Sequence, residues 1–253
     1  MPLEPSNLTI CESTNPPLNR SASDLITIIV PVFNEAGTVR QVIDRLLQIP
    51  LPAAREIIVV NDGSTDGTQE VLDGVAPVAG VLSIVHAPAN GGKGSAIRIG
   101  LGHARGSVIA IQDADLELDP VQLGSLVQPI LNGEAEVVYG SRFLSGRPAG
   151  PWLSIAANRG LTWLTNALYG GRLTDMETCY KIMAAPVARS LRLESNRFDI
   201  EPEITAKLLR QRPRIVERPV KFDPRSRASG KKIGWRDGFH AIGVLLKYRF
   251  QRF

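Results

Sequence analysis

Short β-branched apolar runs alternate with helical patterns through the first 140 residues, and this alternation narrows the fold more than any other feature of the sequence. Leu25–Val30 reads as a buried strand. Val39, Val42, Ile43, Leu46 and Leu47 follow at the three- and four-residue spacing that lines one face of a helix. Glu56–Val60 is a second strand, and a polar turn then leads to a short helix capped near Thr65 or Asp66. Val81–Val85 is a third, with a helix from Gly92 to about Ala104. Ser107–Gln112 is a fourth, after which Pro120 opens a helix to about Leu131, and Glu136–Tyr139 is a fifth. Strands that are apolar almost throughout, each followed by a helix, predict an α/β fold with a mainly parallel sheet flanked by helices.

The second half is less regular. Helices are expected over Ile155–Tyr169, Ile200–Arg210 and Trp235–Tyr248, with a strand over Arg214–Phe222. Residues 1–24, rich in Pro, Ser and Asn, read as a flexible leader, and 25–253 as one domain. No apolar run approaches the roughly 20 residues that span a bilayer. The N-terminus has neither a basic start nor an apolar stretch. Cys11 and Cys179 are too far apart to make a disulfide framework or a zinc spacing, which fits a reducing cytoplasm.

Three acidic features follow three of the strands. They are Asn34-Glu35 after the first, Asn61-Asp62-Gly63-Ser64 after the second, and Asp113-Ala114-Asp115 after the fourth. Ligands of open parallel sheets bind outside the carboxyl ends of the strands, so these acids are expected at one site. Asp113 and Asp115 point to the same side of an extended chain, and two adjacent carboxylates need a cation to coexist. Mg²⁺ or Mn²⁺ held by Asp113 and Asp115, with Glu117 on the same side, meets that need. The Asn90–Gly94 stretch lacks the order of a phosphate loop. Its glycines fit a close backbone approach or a helix cap, and Lys93 is left between a phosphate contact and a solvent-facing role.

Charge is unevenly divided. Residues 1–140 hold seven Lys and Arg against 16 Asp and Glu, and residues 141–253 hold 22 against nine. A basic half suits a phosphorylated ligand. Nucleic acid is disfavoured, because the chain carries no RNA- or DNA-binding motif and its acidic strand ends would repel a phosphate backbone. The missing glycine fingerprint argues against a nicotinamide-dependent enzyme.

The sequence resembles family 2 glycosyltransferases of the GT-A (nucleotide-diphospho-sugar transferase, Rossmann-like) fold, and among them the dolichyl- or polyprenyl-phosphate hexose synthases. The resemblance rests on Val30–Glu35, Val59–Thr68, Asn90–Gly94, Gln112–Leu116, Gly140–Arg142, Asp175–Lys181 and Gly230–Ile233. It implies an inverting transfer of a hexose from a UDP-glucose or GDP-mannose type donor to a polyprenyl or dolichyl phosphate. A soluble acceptor, such as a phosphoglycerate, a saccharide or a protein, is the alternative. By the same resemblance Pro31, Phe33 and Glu35 line the nucleobase and ribose end of the donor pocket, and Asp62 reads the base edge. Lys93, Asp113 and Ala114 complete the donor contacts, and Asp113, Asp115 and Glu117 hold the metal. Arg142, Arg159, Arg225, Lys231 and Lys232 bind acceptor phosphate and leaving diphosphate. Asp115, Arg142, Asp175 and Glu177 stand nearest the chemistry. Residues 25–140 would form the nucleotide-sugar and metal half, and 141–253 the acceptor half.

Trp235, Phe239, Ile242 and Leu246 lie near one face of the last helix among basic residues. That pattern fits either packing on the domain or peripheral contact with an anionic membrane on its cytoplasmic side.

Overall fold

The structure, a computed structural model, describes residues 24–224 and 235–251. Most of the expected leader, Cys11, and the basic positions Arg225, Lys231 and Lys232 lie outside the described residues.

The chain begins with β1 (Leu25–Val32), α1 (Val39–Gln48), β2 (Ala54–Asn61), α2 (Thr68–Asp73), β3 (Leu82–His86) and α3 (Lys93–His103). It continues with β4 (Val108–Ile111), a 3-10 turn at Pro120–Gln122, α4 (Leu123–Leu131), β5 (Val137–Ser141) and α5 (Trp152–Tyr169). The later elements are β6 (Lys181–Ala184), α6 (Ala185–Ser190), α7 (Ile200–Gln211), β7 (Ile215–Pro219) and α8 (Trp235–Phe250). Seven strands make one sheet in the order β3-β2-β1-β4-β6-β5-β7.

All neighbouring pairs are parallel except those of β6, which runs antiparallel to both β4 and β5. Ile26 through Val30 are buried without interruption. Successive strand residues face opposite sides of a sheet, so both faces of β1 are covered. Each fully buried Ile or Val there contributes roughly 1.5–3 kcal/mol. Helix α1 buries Val39, Val42, Ile43 and Leu46, four of the five positions its periodicity marks, and Leu47 packs at the margin.

The sequence predicts neither β6 nor α6. Strand β6 is four residues long and opens on Lys181, a residue type that seldom marks a central strand, yet Lys181 is wholly buried. Pro120 opens the expected helix, but as a 3-10 turn. Asp119 Oδ1 accepts from the Val121 amide at 3.1 Å, and α4 follows.

The parallel strands β1, β2, β3, β4, β5 and β7 end at one edge of the sheet. Because β6 is reversed, its beginning lies there too. Residues that follow six strands therefore meet residues that precede the seventh.

Candidate active site

The turns after β1 and β2 are built against each other. Asn34 takes a left-handed φ of 53°, which asparagine tolerates better than most residues. Its Oδ1 accepts from the Thr65 amide at 2.8 Å, and its own amide donates to Ser64 Oγ at 3.0 Å. The Glu35 amide donates to Thr68 Oγ1 at 2.9 Å, and the Ala36 amide to Asp66 Oδ2 at 3.3 Å. Burial would raise the Asp66 pKa, but hydrogen bonds from Thr68 and Ala36 hold it below the usual value. The Thr38 hydroxyl lies 2.9 Å from Glu35 Oε2 and 2.8 Å from the Ala114 carbonyl, joining this turn to the segment after β4. Between them opens a cleft of about 420 Å³, lined by Asn34, Glu35, Thr38, Asp66 and Asp115 among others. Pro31 and Phe33, at the end of β1 and just after it, are half-buried, and neither is among the residues that line the cleft.

Asp62 is buried, and its carboxylate holds the Asn90–Gly92 loop. It accepts from the Gly91 amide at 2.9 Å, the Gly92 amide at 2.6 Å and Asn90 Nδ2 at 2.9 Å. The glycines of this stretch answer to protein backbone. A Cβ on Gly94 would lie 2.3 Å from the Ser195 carbonyl oxygen. Gly92, at φ 95°, would put one 2.5 Å from that of Asn196. The close approach expected here is therefore made against the segment that leads into α7.

That docking brings Lys93, the first residue of α3, onto Asp113. Lys93 Nζ lies 2.8 and 3.1 Å from the Asp113 oxygens and 2.9 Å from Glu201 Oε1. Glu201 also pairs with the buried Lys181. Burial alone would lower the Lys93 pKa, but Asp113 and Glu201 hold it well above the ordinary lysine value. Burial would likewise raise Asp113, and Lys93 outweighs it, so Asp113 is pushed down. Of the two roles left open for Lys93, solvent exposure is excluded, since its side chain is only 13% exposed.

Asp115 is placed differently. Its Oδ1 accepts from the Glu117 amide at 3.1 Å across a turn in which Leu116 takes φ 63°, a conformation costly for a leucine. Among the described residues no three His, Cys, Asp or Glu side chains are gathered as a metal site. Asp113, Asp115 and Glu117 therefore form no three-acid cage. The first acid faces an ammonium, while the second lines the open cleft. Carboxylate oxygens beside an open cleft suit a hard divalent ion that completes its shell with water and phosphate oxygens.

After β5, Arg142 makes a two-pronged bond to Asp175. Its Nε and Nη2 each lie 2.7 Å from one carboxylate oxygen, and its amide donates to Asp175 Oδ2 at 3.0 Å. Asn158 of α5 reaches Asp175 Oδ1 at 3.4 Å. Asp175 is fully buried, so its carboxylate serves as the counter-charge that aims the guanidinium. Glu217 on β7 accepts the Thr174 amide at 2.9 Å and the Asp175 amide at 3.3 Å. Arg159 lies exposed on α5, its guanidinium 5.4 Å from the Phe143 ring. Between the Arg142 fork and Asp113 runs the segment into β6. Thr178 there donates to the Gly140 carbonyl at 2.6 Å, and Tyr180 Oη to Gln112 Oε1 at 2.6 Å. Glu177 in this segment has a buried oxygen, Oε1, without a hydrogen-bond partner. Burial pushes its carboxyl up to about 7, with Glu201 and Asp175 adding to the shift and Lys181 and Arg142 opposing it.

The sequence points to none of Glu201, Glu217 and Asn158, and gives Lys181, the last residue of the Asp175–Lys181 motif, no role of its own. The one available signal was Ile200-Glu201-Pro202-Glu203-Ile204-Thr205-Ala206-Lys207, in which charged residues recur without leaving a polar face. All eight are buried.

The glycosyl transferase family 2 model matches residues 27–191. Glycosyltransferase AglD of Haloferax volcanii is 28% identical over 79% of this chain and 33% of its own length. The dodecaprenyl-phosphate galacturonate synthase of Rhizobium johnstonii is 30% identical over 68% of this chain and 52% of its own. The chain thus spans a third to a half of these two relatives. An undecaprenyl-phosphate mannosyltransferase of Micrococcus luteus is 29% identical over 87% of this chain and 92% of its own. Among solved structures, glucosyl-3-phosphoglycerate synthase of Mycobacterium tuberculosis with Mn²⁺, UDP and phosphoglyceric acid superposes with a TM-score of 0.69. It is 19% identical, over 92% of this chain and 80% of that one, and shows that the fold is GT-A.

Proposed function

The chain belongs to glycosyl transferase family 2, and from that membership we propose that it moves a hexose, with inversion, from a UDP- or GDP-linked donor to a polyprenyl or dolichyl phosphate. The observation that carries this reading is the pairing, at one sheet edge, of an acidic cleft around Asp115 with the guanidinium of Arg142 fixed by Asp175. Relatives named for dodecaprenyl- and undecaprenyl-phosphate products support the acceptor.

In this reading Pro31, Phe33 and Glu35 receive the nucleoside, and Asp62 shapes the loop beside it. Asp115, with Glu117, would hold Mg²⁺ or Mn²⁺ together with the donor phosphates, and Asp113 and Lys93 flank them. The ion's contribution is to neutralise charge that grows on the departing diphosphate. Arg142 does the same from the protein side, as a planar fork suited to phosphate oxygens. An acceptor phosphate is already ionised at neutral pH and needs a cationic cradle, not a base. Arg142 and Arg159 begin that cradle, and the basic positions Arg225, Lys231 and Lys232 extend it in sequence. Asp175 is then a positioning residue. The enzyme would work at the cytoplasmic membrane face, where such acceptors lie.

The test is a panel of nucleotide sugars with polyprenyl phosphate and Mn²⁺, reading the product lipid by mass. A sugar-phosphate lipid formed with one donor supports the reading. Nucleoside diphosphate released only with a soluble acceptor such as phosphoglycerate would sink the lipid acceptor and leave the donor chemistry.

A further inference from the structure

Helix α5 is a partition. Its inner side makes the site: Asn158 bonds Asp175, and Thr162 Oγ1 accepts from the Met176 amide at 3.2 Å. Its outer side is apolar and exposed. Trp152, Ala156, Arg159 and Trp163 follow one another at four-, three- and four-residue steps, which is one stripe of a helix. Trp152 is 70% exposed, Trp163 71% and the adjoining Leu153 65%.

Helix α8 packs beside α5, and Tyr169 Oη donates to the Leu245 carbonyl at 2.5 Å. It is firmly seated. Ala241, Leu245 and Tyr248 are buried, and Tyr248 Oη bonds Glu203 at 2.9 Å and Glu194 at 3.1 Å. That seating turns Phe239, Gly243, Leu246 and Phe250 outward as a second exposed stripe. Apart from Val78, Val121 and Leu144, every exposed large hydrophobic among the described residues lies on these two helices. Buried large side chains are the rule, so such a concentration calls for an occupant.

The surrounding charge says which. Between Arg142 and Asp175 the chain has Arg147, Arg159 and Arg172 and no acid. From Gly238 to Phe250 the last helix has Arg249 and Lys247, the latter paired with Glu194 at 3.1 Å, and no acid. Tryptophan and phenylalanine flanked by arginine and lysine match the boundary between acyl chains and anionic headgroups. Among the described residues no helix is long and apolar enough to cross a bilayer.

We propose that the outer faces of α5 and α8 form one docking surface for an anionic lipid bilayer, with Trp152, Leu153 and Trp163 as the main anchors. Its purpose rests on the lipid-phosphate reading above: α5 would lie at headgroup level with the Arg142 fork immediately behind it. An acceptor phosphate could then reach the fork while its chain stays in the membrane.

The test is co-sedimentation of the full chain with vesicles of phosphatidylcholine alone and of phosphatidylcholine mixed with phosphatidylglycerol. Wild type is compared with the double variants Trp152→Ser/Trp163→Ser and Leu246→Ser/Phe250→Ser, all checked by circular dichroism and thermal midpoint. The expected result is salt-sensitive binding to the mixed vesicles, reduced about tenfold or more by each double variant with the fold intact. Wild type that ignores both vesicles, or variants that bind like wild type, overturns the proposal. So does a wild-type dimer that the variants dissolve without any vesicle binding, which would give the face to a second copy. The transfer assay separates the two readings. Vesicle binding with transfer only to a soluble acceptor supports the docking face and ends the lipid-phosphate reading. Transfer to polyprenyl phosphate in detergent without vesicle binding does the reverse.

Discussion

The two sides of the site are held by different means. On the proposed donor side, the turns after β1, β2 and β4 are tied by side chains that accept from backbone amides: Asn34 from Thr65, Asp62 from Gly91 and Gly92, and Asp115 from Glu117. On the proposed acceptor side, charged groups hold one another: Arg142 with Asp175, and Glu201 with Lys181; Lys93, paired with both Asp113 and Glu201, joins the two sides. Turns can lose one side chain and keep their shape. Buried ion pairs cannot, because a charge left alone without water costs far more than the pair contributed. The donor side should therefore lose activity with little loss of stability, and the acceptor side should lose both.

The largest effect is expected from Arg142→Ala. It leaves the fully buried Asp175 carboxylate without its partner, so unfolding should become easier by about 3–5 kcal/mol. Transfer should fall about a hundredfold or more, and Arg142→Lys should restore stability more than rate. Wild-type kinetics in Arg142→Ala would remove the fork from the mechanism.

Next comes Asp115→Asn. Transfer should drop about a hundredfold while the thermal midpoint barely moves, and Mn²⁺ binding followed by electron paramagnetic resonance should weaken. A midpoint that falls as far as in Arg142→Ala would erase the contrast between the sides.

A third test uses pH. The Glu177 carboxyl, raised to about 7 from an ordinary 4.5, ionises first in the unfolded chain as pH climbs. The folded state is then progressively destabilised between those values, by at most about 3 kcal/mol above pH 7. Glu177→Gln should relieve that loss at pH 8 and change little at pH 4.5, as read by urea unfolding at both. Equal effects at the two pH values would show that Glu177 is not held protonated by burial.

The smallest effect is expected at Asn34→Ala, which loses the bond to the Thr65 amide and a residue suited to positive φ. The cost should stay within about 1 kcal/mol by urea unfolding, with a modest rise in donor KM.

The same contrast explains what could be read from sequence. Turn-building acids lie within a few positions of the strand they follow, so Glu35, Asp62, Asp113 and Asp115 were found with their strands. Ile26–Val30 and the stripe of α1 were equally plain, because each element carries its own period. The pairing of Lys181 with Glu201 is not legible, since a buried pair is defined by two distant positions. Strand β6 was missed for a related reason. Four residues opening on a lysine carry no periodic signal, and their strand character comes from the neighbours on both sides. Asp62 was found, but its structural task of holding the Asn90–Gly92 loop was not legible.

The stretch between β5 and β6 is closed at its base. Ser141 Oγ meets Thr174 Oγ1 at 2.6 Å, and the Arg142–Asp175 bond lies directly beyond. Everything from Phe143 to Leu173, α5 included, therefore leaves the sheet and returns to it through a single clasp. Such a stretch behaves as a cassette. Its outer surface can change while the clasp and the strand order persist, provided Asn158 and Thr162 keep the inner side of α5 against Asp175 and Met176.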